Sequence, residues 1–199
     1  MTEHNPMQHF HRWFFEADRS FDEREPNAMW LATIGEDGYP RNRMVLLKKY
    51  TWEGFIFYTN YNSEKAKAIA ANSAVGMLFN WVNSHRRVQI SATALRLDES
   101  VSDAYFALRP RASQIGAWAS RQSSEVISRK ALELQFENTV KKFDATEEIP
   151  RPKFWGGYLV RPSSLVFTEK FETYTKTYKY HLINEYDWDL QINYNTNTF

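Results

Sequence analysis

The stretch from Arg41 to Lys65, RNRMVLLKKYTWEGFIFYTNYNSEK, constrains the possible folds of this chain more than any other. Met44-Val45-Leu46-Leu47 is a short apolar run framed by basic residues, which predicts a strand. Thr51-Trp52-Glu53-Gly54 breaks it, because glycine tolerates the positive φ of a tight turn. Phe55-Ile56-Phe57-Tyr58-Thr59 is aromatic and β-branched, the composition of a half-buried pleat. After a polar loop at Asn60 to Asn62, the run Ser63-Glu64-Lys65-Ala66-Lys67-Ala68-Ile69-Ala70 reads as a helix with Ser63 placed to cap it. Free N–H groups at that helix start, with Lys65 in the first turn and Arg43 on a neighbouring strand, would form an anion site. The same residues also describe a plain hairpin and a capped surface helix with solvated lysines.

With 199 residues, the chain fits one domain over 1–199, with a helix and connector at 1–26 and a frayed tail at 195–199. Aromatic residues at 16% and charged residues at 25% argue against overall disorder. The formal net charge of +1 gives no bulk attraction to nucleic acid or to an anionic membrane, so a basic site must be local. The absence of cysteine excludes disulfides, thiolate metal sites and a cysteine nucleophile, and suits a reducing cytosol. The N-terminus is polar and no apolar run approaches the ~20 residues of a membrane span, so the expected location is the cytoplasm.

Residues 6–19 have the pattern of an amphipathic helix, with Phe10, Trp13, Phe14 and Ala17 at helical spacing. His9 and His11 would point to different faces, as surface histidines and not as a metal pair. Ala28 to Ile34 predicts a strand, and Asp37-Gly38 carries a hairpin signal. Ala74 to Trp81 and Arg87 to Leu97 predict two more strands around Asn83-Ser84-His85. Asp98 or Ser100 should cap a helix running to Leu108, Arg109-Pro110-Arg111 interrupts it, and a short helix through Trp118 follows. Val126 to Phe143 predicts a long helix with Ile127, Ala131, Leu134, Phe136 and Val140 partly at core spacing. Trp155 to Val160, Leu165 to Glu169, Thr173 to Leu182 and Trp188 to Tyr194 are expected to close the fold as strands. About eight short strands joined by hairpins predict a mainly β, antiparallel barrel with peripheral helices. No G-x-G-x-x-G follows a strand, no P-loop is present, and Gly156-Gly157 reads as a strand bend.

Three blocks taken together carry more information. They are RMVLLK followed by FYTN and SEKA, YFALRPRASQIGAWASRQSS from Tyr105, and PKFWGGYLVRP from Pro152. Their order and spacing over residues 6–168 closely resemble the pyridoxamine (pyridoxine) 5′-phosphate oxidase family. The resemblance implies an FMN-binding split β-barrel that works as a homodimer with the flavin at the subunit interface. It also implies oxidation of pyridoxamine or pyridoxine 5′-phosphate to pyridoxal 5′-phosphate, with O2 as electron acceptor. By the same resemblance Arg43, Met44, Val45, Lys48, Tyr58, Thr59, Ser63, Lys65 and Arg87 fall at flavin-binding positions, with Gln122 and Ser123 contributed by the partner loop. Lys48, Tyr105, Arg109 and Ser113 fall at positions that hold the substrate phosphate. Converging charge-assisted donors suit a phosphate, with arginine as a planar fork and lysine as a point charge. Taken singly, the lysines could be solvated, Tyr105 a core aromatic, Arg109 a helix-ending residue and Ser113 a cap.

The match breaks down towards the C-terminus. The arginine and histidine that resemblance places over the substrate ring are Tyr174 and Lys176 here, the last flavin-contacting arginine is Tyr178, and a tryptophan is Thr168. Glu64 stands at a phosphate-binding arginine position and Arg87 at a glutamine position. Glu64 would complement the helix dipole and repel a phosphate. Two alternatives follow: a split-barrel flavoprotein with a different substrate, or a non-catalytic protein that binds FMN or B6 phosphate.

Overall fold

The computed structural model describes residues 5–120 and 128–196. Helix α1 spans Pro6–Arg19, where Asn5 caps by accepting a hydrogen bond from the Met7 N–H and proline occupies the first turn. Strands β1 (Ala28–Ile34) and β2 (Pro40–Leu46) form the expected hairpin. Strands β3 (Lys49–Thr51) and β4 (Gly54–Asn60) follow, then α2 (Glu64–Ala71), β5 (Ala74–Trp81) and β6 (Arg86–Arg96). Gly54 turns the chain at φ +147, and a Cβ there would run into the Val160 carbonyl. Helices α3 (Glu99–Ala107), α4 (Arg111–Ala119) and α5 (Arg129–Lys142) precede β7 (Trp155–Lys170), β8 (Tyr174–Asn184) and β9 (Asp187–Thr196).

All described strand pairs are antiparallel, in the order β2-β1-β5-β6-β7-β4-β3, with β8 adding to β7 and β9 to β8. This is the mainly β, curled split-barrel sheet expected from the sequence. Strand alternation puts Met29, Leu31, Met77, Phe79, Val88, Ile90, Leu165 and Phe167 on the inner face. Phe10 of α1 closes one end, packing edge-on against Phe55 and Phe79. A second cluster of Phe106, Ile115, Phe143, Ile149 and Trp155 joins the helices to the start of β7.

Several expectations need correction. Val126 to Phe143 gives a helix that begins at Arg129 with Ser128 as cap, and none of its residues is buried. The spacing of Leu134, Phe136 and Val140 therefore reflects a partly exposed apolar surface, and Ile127 lies outside the described residues. His9 is buried, stacked on Phe167 at 4.1 Å with Nδ1 3.0 Å from the Tyr180 hydroxyl. Helix α1 lies on the sheet, so the face that carries Trp13 also carries His9 inward. The two strands expected at Trp155 to Val160 and Leu165 to Glu169 are one strand, β7, which a register shift opposite Ser91 and Ala92 carries past Pro162. Strand β9 runs through Thr196, so residues 195 and 196 belong to the sheet and not to a frayed tail. Helix α3 is entered from Asp98, leaving Ser100 inside it.

Candidate active site

Strand β2 ends at Leu46, and β3 begins at Lys49. The break between them gives Lys48 a different direction from the strand residues. Its backbone N–H still donates to Ile56 O at 2.9 Å, and its side chain joins the wall of an open cavity of about 360 Å³. Tyr58, Thr59 and Asn60 from the end of β4, Tyr105 from α3, Arg109 from the α3–α4 turn, Ser113, Gly116 and Ala117 from α4, its C-cap Ser120, and Trp155 line the rest. All four residues expected at the substrate phosphate, Lys48, Tyr105, Arg109 and Ser113, thus meet in one cavity.

Aromatic stacking shapes that cavity. Tyr58 stacks on Tyr105 at 3.9 Å and on Trp155 at 5.2 Å, with the rings nearly parallel. Gly157 makes this possible, since a Cβ there would sit 2.8 Å from the Tyr58 ring and 2.5 Å from Leu97. Burial pushes the Tyr58 hydroxyl up to about 12, with Tyr105 and Tyr61 adding to the effect, so it stays protonated as a donor. The Arg109 guanidinium lies over the Trp155 ring at 4.6 Å, a cation–π contact that fixes its plane. Gln114 Nε2 donates to Phe106 O at 2.9 Å and Ala107 O at 3.2 Å, which holds the turn that carries Arg109. Arg111 donates to the Phe143 and Thr146 carbonyls at 2.5 and 2.8 Å, tying α4 to the end of α5. Burial lowers the Arg109 pKa from its usual value, and Arg109 Nη1 is buried with no hydrogen-bond partner among the described residues. A buried cationic donor without a partner is costly and marks a place for an anion.

A second basic cluster sits at the start of α2. Ser63 is buried and its hydroxyl accepts from the Ala66 N–H at 3.4 Å, so this side chain serves as the helix cap. Lys65 is buried, with Nζ 3.4 Å from Thr59 Oγ1. Arg43 pairs with Leu31 across β1–β2 and donates to Leu31 O, Thr33 Oγ1 and Arg41 O at 3.2, 2.7 and 2.7 Å. Burial lowers the pKa of both cations, and Arg43 lowers Lys65 further. Among the described residues, neither forms an ion pair with a carboxylate. Glu64 is instead engaged by Arg41, Nε to Oε1 at 2.8 Å, and this contact replaces the simple repulsive carboxylate expected there.

The other expected flavin residues are not drawn into this cluster. Met44 is exposed on the opposite face of β2 from Arg43, and Val45 packs against the main core. Arg87 is exposed on the outer sheet face and pairs with Thr168, lining a different groove with Asn80, His85 and Thr175. Gln122 and Ser123 lie outside the described residues. The sequence pattern does not point to Trp155 and Asn60 as cavity residues or to Gln114 as the support of the Arg109 turn. Trp155 sits in the WGGY part of a block already noticed, and its place ahead of paired glycines was the available signal. Arg41 was also missed.

Comparison with known proteins is consistent with this geometry. The family model described as pyridoxamine 5′-phosphate oxidase matches residues 16–142. A pyridoxine/pyridoxamine 5′-phosphate oxidase from Rubrobacter xylanophilus is 50% identical over 163 residues, covering 82% of this chain and 74% of that protein. One from Shewanella frigidimarina is 44% identical over 193 residues, covering 94% and 87%. Among solved structures, PhzG from Burkholderia lata, in complex with tetrahydrophenazine-1-carboxylic acid, superposes with a TM-score of 0.87 at 26% identity, covering 95% of this chain and 92% of that one. A pyridoxamine 5′-phosphate oxidase-related, FMN-binding protein from Nostoc punctiforme shares the fold with a TM-score of 0.72 at 16% identity, covering 96% and 99%.

Proposed function

The chain belongs to the pyridoxamine 5′-phosphate oxidase family, whose members are FMN-dependent oxidoreductases, and from that premise we propose that it oxidises pyridoxamine or pyridoxine 5′-phosphate to pyridoxal 5′-phosphate with O2 as acceptor. The observation that carries this reading is Arg109, whose buried Nη1 has no hydrogen-bond partner among the described residues, lining one cavity with Lys48, Tyr105 and Ser113. That donor set suits a phosphate monoester, with a guanidinium fork, an ammonium and two hydroxyls. Phosphate held there supplies binding free energy remote from the reacting carbon, which aligns the vitamer ring for reaction. The stacked Tyr58, Tyr105 and Trp155 rings form an apolar wall that excludes water from one side.

The residues at the α2 start also fit the flavin. Arg43 and Lys65 are desolvated cations that form no ion pair with a carboxylate among the described residues, and they stand at the N-terminal end of α2, which is the chemistry a phosphate on FMN requires. FMN held by Arg43 and Lys65 would supply the hydride acceptor that this oxidation needs and the route by which O2 is reduced. Thr59 and Tyr58, at the end of β4, stand between the two clusters and are assigned to the flavin side.

We assign the active form as a homodimer. The outer sheet face exposes Trp30, Ile34, Met44 and Leu46 beside an open groove of about 690 Å³, an apolar surface that a second copy would cover. Arg87 and Thr168 lie on that outer face, away from Arg43, so a two-fold partner is needed to bring both sets to one flavin. A cytoplasmic location fits the cysteine-free chain, and no helix among the described residues is long and apolar enough to cross a membrane.

A second reading, a split-barrel flavoenzyme acting on another substrate, is favoured by one observation. Tyr174 and Lys176 occupy the positions expected to face the substrate ring, with the Lys176 ammonium over Tyr178 at 4.7 Å and Tyr194 at 5.4 Å. The experiment that decides is incubation of the flavin-loaded protein with pyridoxamine 5′-phosphate in air. Pyridoxal 5′-phosphate and peroxide in equal amounts support the first reading. No aldehyde from a protein with FMN bound supports the second.

A further inference from the structure

Glu64 opens α2 and adjoins Lys65, so its carboxylate stands beside the two cations assigned to the flavin phosphate. Left free, it would compete with a phosphate for Lys65 and Arg43 and repel the dianion. Arg41 prevents this. It lies two residues before Arg43 on β2, hence on the same face of the strand. Its Nε reaches Glu64 Oε1 at 2.8 Å, while both terminal nitrogens clasp the Asp37 carboxylate at 2.7 Å each. Its own carbonyl accepts from Arg43 Nη1 at 2.7 Å, so the backbone that places Arg41 also places Arg43. The guanidinium therefore links the tip of the β1–β2 hairpin to the first turn of α2, and the cluster carries three cations (Arg41, Arg43, Lys65) against two carboxylates.

We infer that Arg41 is a positioning residue for the cofactor: by holding the Glu64 carboxylate it keeps Lys65 and Arg43 available to the flavin phosphate at a helix start where the family resemblance implies an arginine and this chain has a glutamate. This rests on the reading of Arg43 and Lys65 as the FMN phosphate site. Both partners of the ion pair are partly exposed, and such pairs add little to folding stability, so its effect is expected in ligand affinity rather than melting temperature.

The test is titration of the flavin-free full chain with FMN, followed by quenching of flavin fluorescence, with a melting curve for every variant. Arg41→Ala is expected to weaken FMN binding about five- to tenfold, as an unpaired carboxylate is released near a dianion at high effective dielectric. Removing that carboxylate as well, in Arg41→Ala/Glu64→Ala, should restore affinity to within about twofold of wild type. Asp37→Asn, which loosens the hairpin end of the link but leaves the Arg41–Glu64 pair, should also stay within about twofold. A merely structural Arg41 would give no rescue in the double variant. Unchanged affinity in Arg41→Ala, a double variant as weak as the single one, or an equal loss in Asp37→Asn overturns the inference. If Arg41→Ala melts well below wild type, Arg41→Gln is read against the same outcomes. A wild-type protein that does not bind FMN overturns the flavin reading itself, a failure distinct from those three.

Discussion

The two basic clusters differ in how they are built. The Arg43–Lys65 cluster is held by main-chain structure: Arg43 donates to strand carbonyls, and Lys65 rides in the first turn of a helix capped by Ser63. The Lys48–Arg109 cluster is tertiary, assembled from a strand break, a helix–helix turn and a ring stack, and it opens into a cavity. The first suits a resident cofactor, because its donors are fixed before anything binds. The second suits a ligand that comes and goes, because Lys48 and Ser120 leave one side exposed. Binding by the first cluster should therefore depend on buried charge, and binding by the second on the geometry of one guanidinium.

Removing both cations of the first cluster gives the largest expected effect. Arg43→Ala with Lys65→Ala deletes two charge-assisted contacts of roughly 1.5–3 kcal/mol each, so FMN affinity should fall by about 10²- to 10⁴-fold. Lys65→Met alone should weaken FMN yet keep or raise the melting temperature of the flavin-free protein, since Lys65 is a desolvated cation whose pKa burial lowers. A fall in flavin-free stability would show that Lys65 is held there for the fold.

Next in size is Arg109→Ala. Losing one charge-assisted contact of roughly 1.5–3 kcal/mol should lower kcat/KM for pyridoxamine 5′-phosphate by about 10- to 150-fold. Turnover of unphosphorylated pyridoxamine should not change. Equal loss on both substrates would make Arg109 a helix-ending residue, and the contrast between the clusters would disappear.

His9 separates the scaffold from both sites. Burial, and then the positive charges of Arg12, Arg86 and Lys176, hold its pKa at about 3 in the folded protein, against 6.5 ordinarily. The unfolded chain therefore takes up a proton that the folded chain refuses. The stability this group contributes is full above pH 6.5 and is lost progressively as pH falls towards 3. His9→Leu should flatten the fall of unfolding free energy between pH 6.5 and 4 by roughly 1 kcal/mol per pH unit, with FMN affinity at pH 7.5 unchanged. An identical acid limb in the variant would assign that lability elsewhere.

The smallest effect is expected at Phe136, which is 42% exposed on a helix with no buried residue. Phe136→Ser should change stability by no more than about 0.5 kcal/mol and leave both ligand affinities alone. A larger loss of stability would mean that α5 has a covering partner.

What could be read from the sequence follows the same division. Local rules gave the Ser63 cap, the Gly54 turn, the Asp37-Gly38 hairpin and the break at Arg109-Pro110, because each depends on a few adjacent residues. The family blocks pointed to Lys48, Tyr105, Arg109 and Ser113, and the structure brings them to one cavity although they come from two blocks more than fifty residues apart. The two strands expected at 155–160 and 165–169 are one because β7 passes Pro162 through a register shift, a bulge that depends on the neighbouring strand β6. His9 and α5 misled because helical periodicity gives a face without saying what that face meets. The Arg41–Glu64 pair spans 23 positions and depends on where a hairpin tip lands beside a helix, which no local pattern encodes.

Crossed titration of three proteins tests the central claim, two separate phosphate sites with different occupants, most directly. FMN is titrated into flavin-free wild type, Lys65→Ala and Arg109→Ala, and pyridoxal 5′-phosphate is then titrated into each after saturation with FMN. Lys65→Ala should shift only the first titration, and Arg109→Ala only the second, each by about tenfold or more. If either substitution moves both titrations equally, the two clusters are one site and the account is wrong.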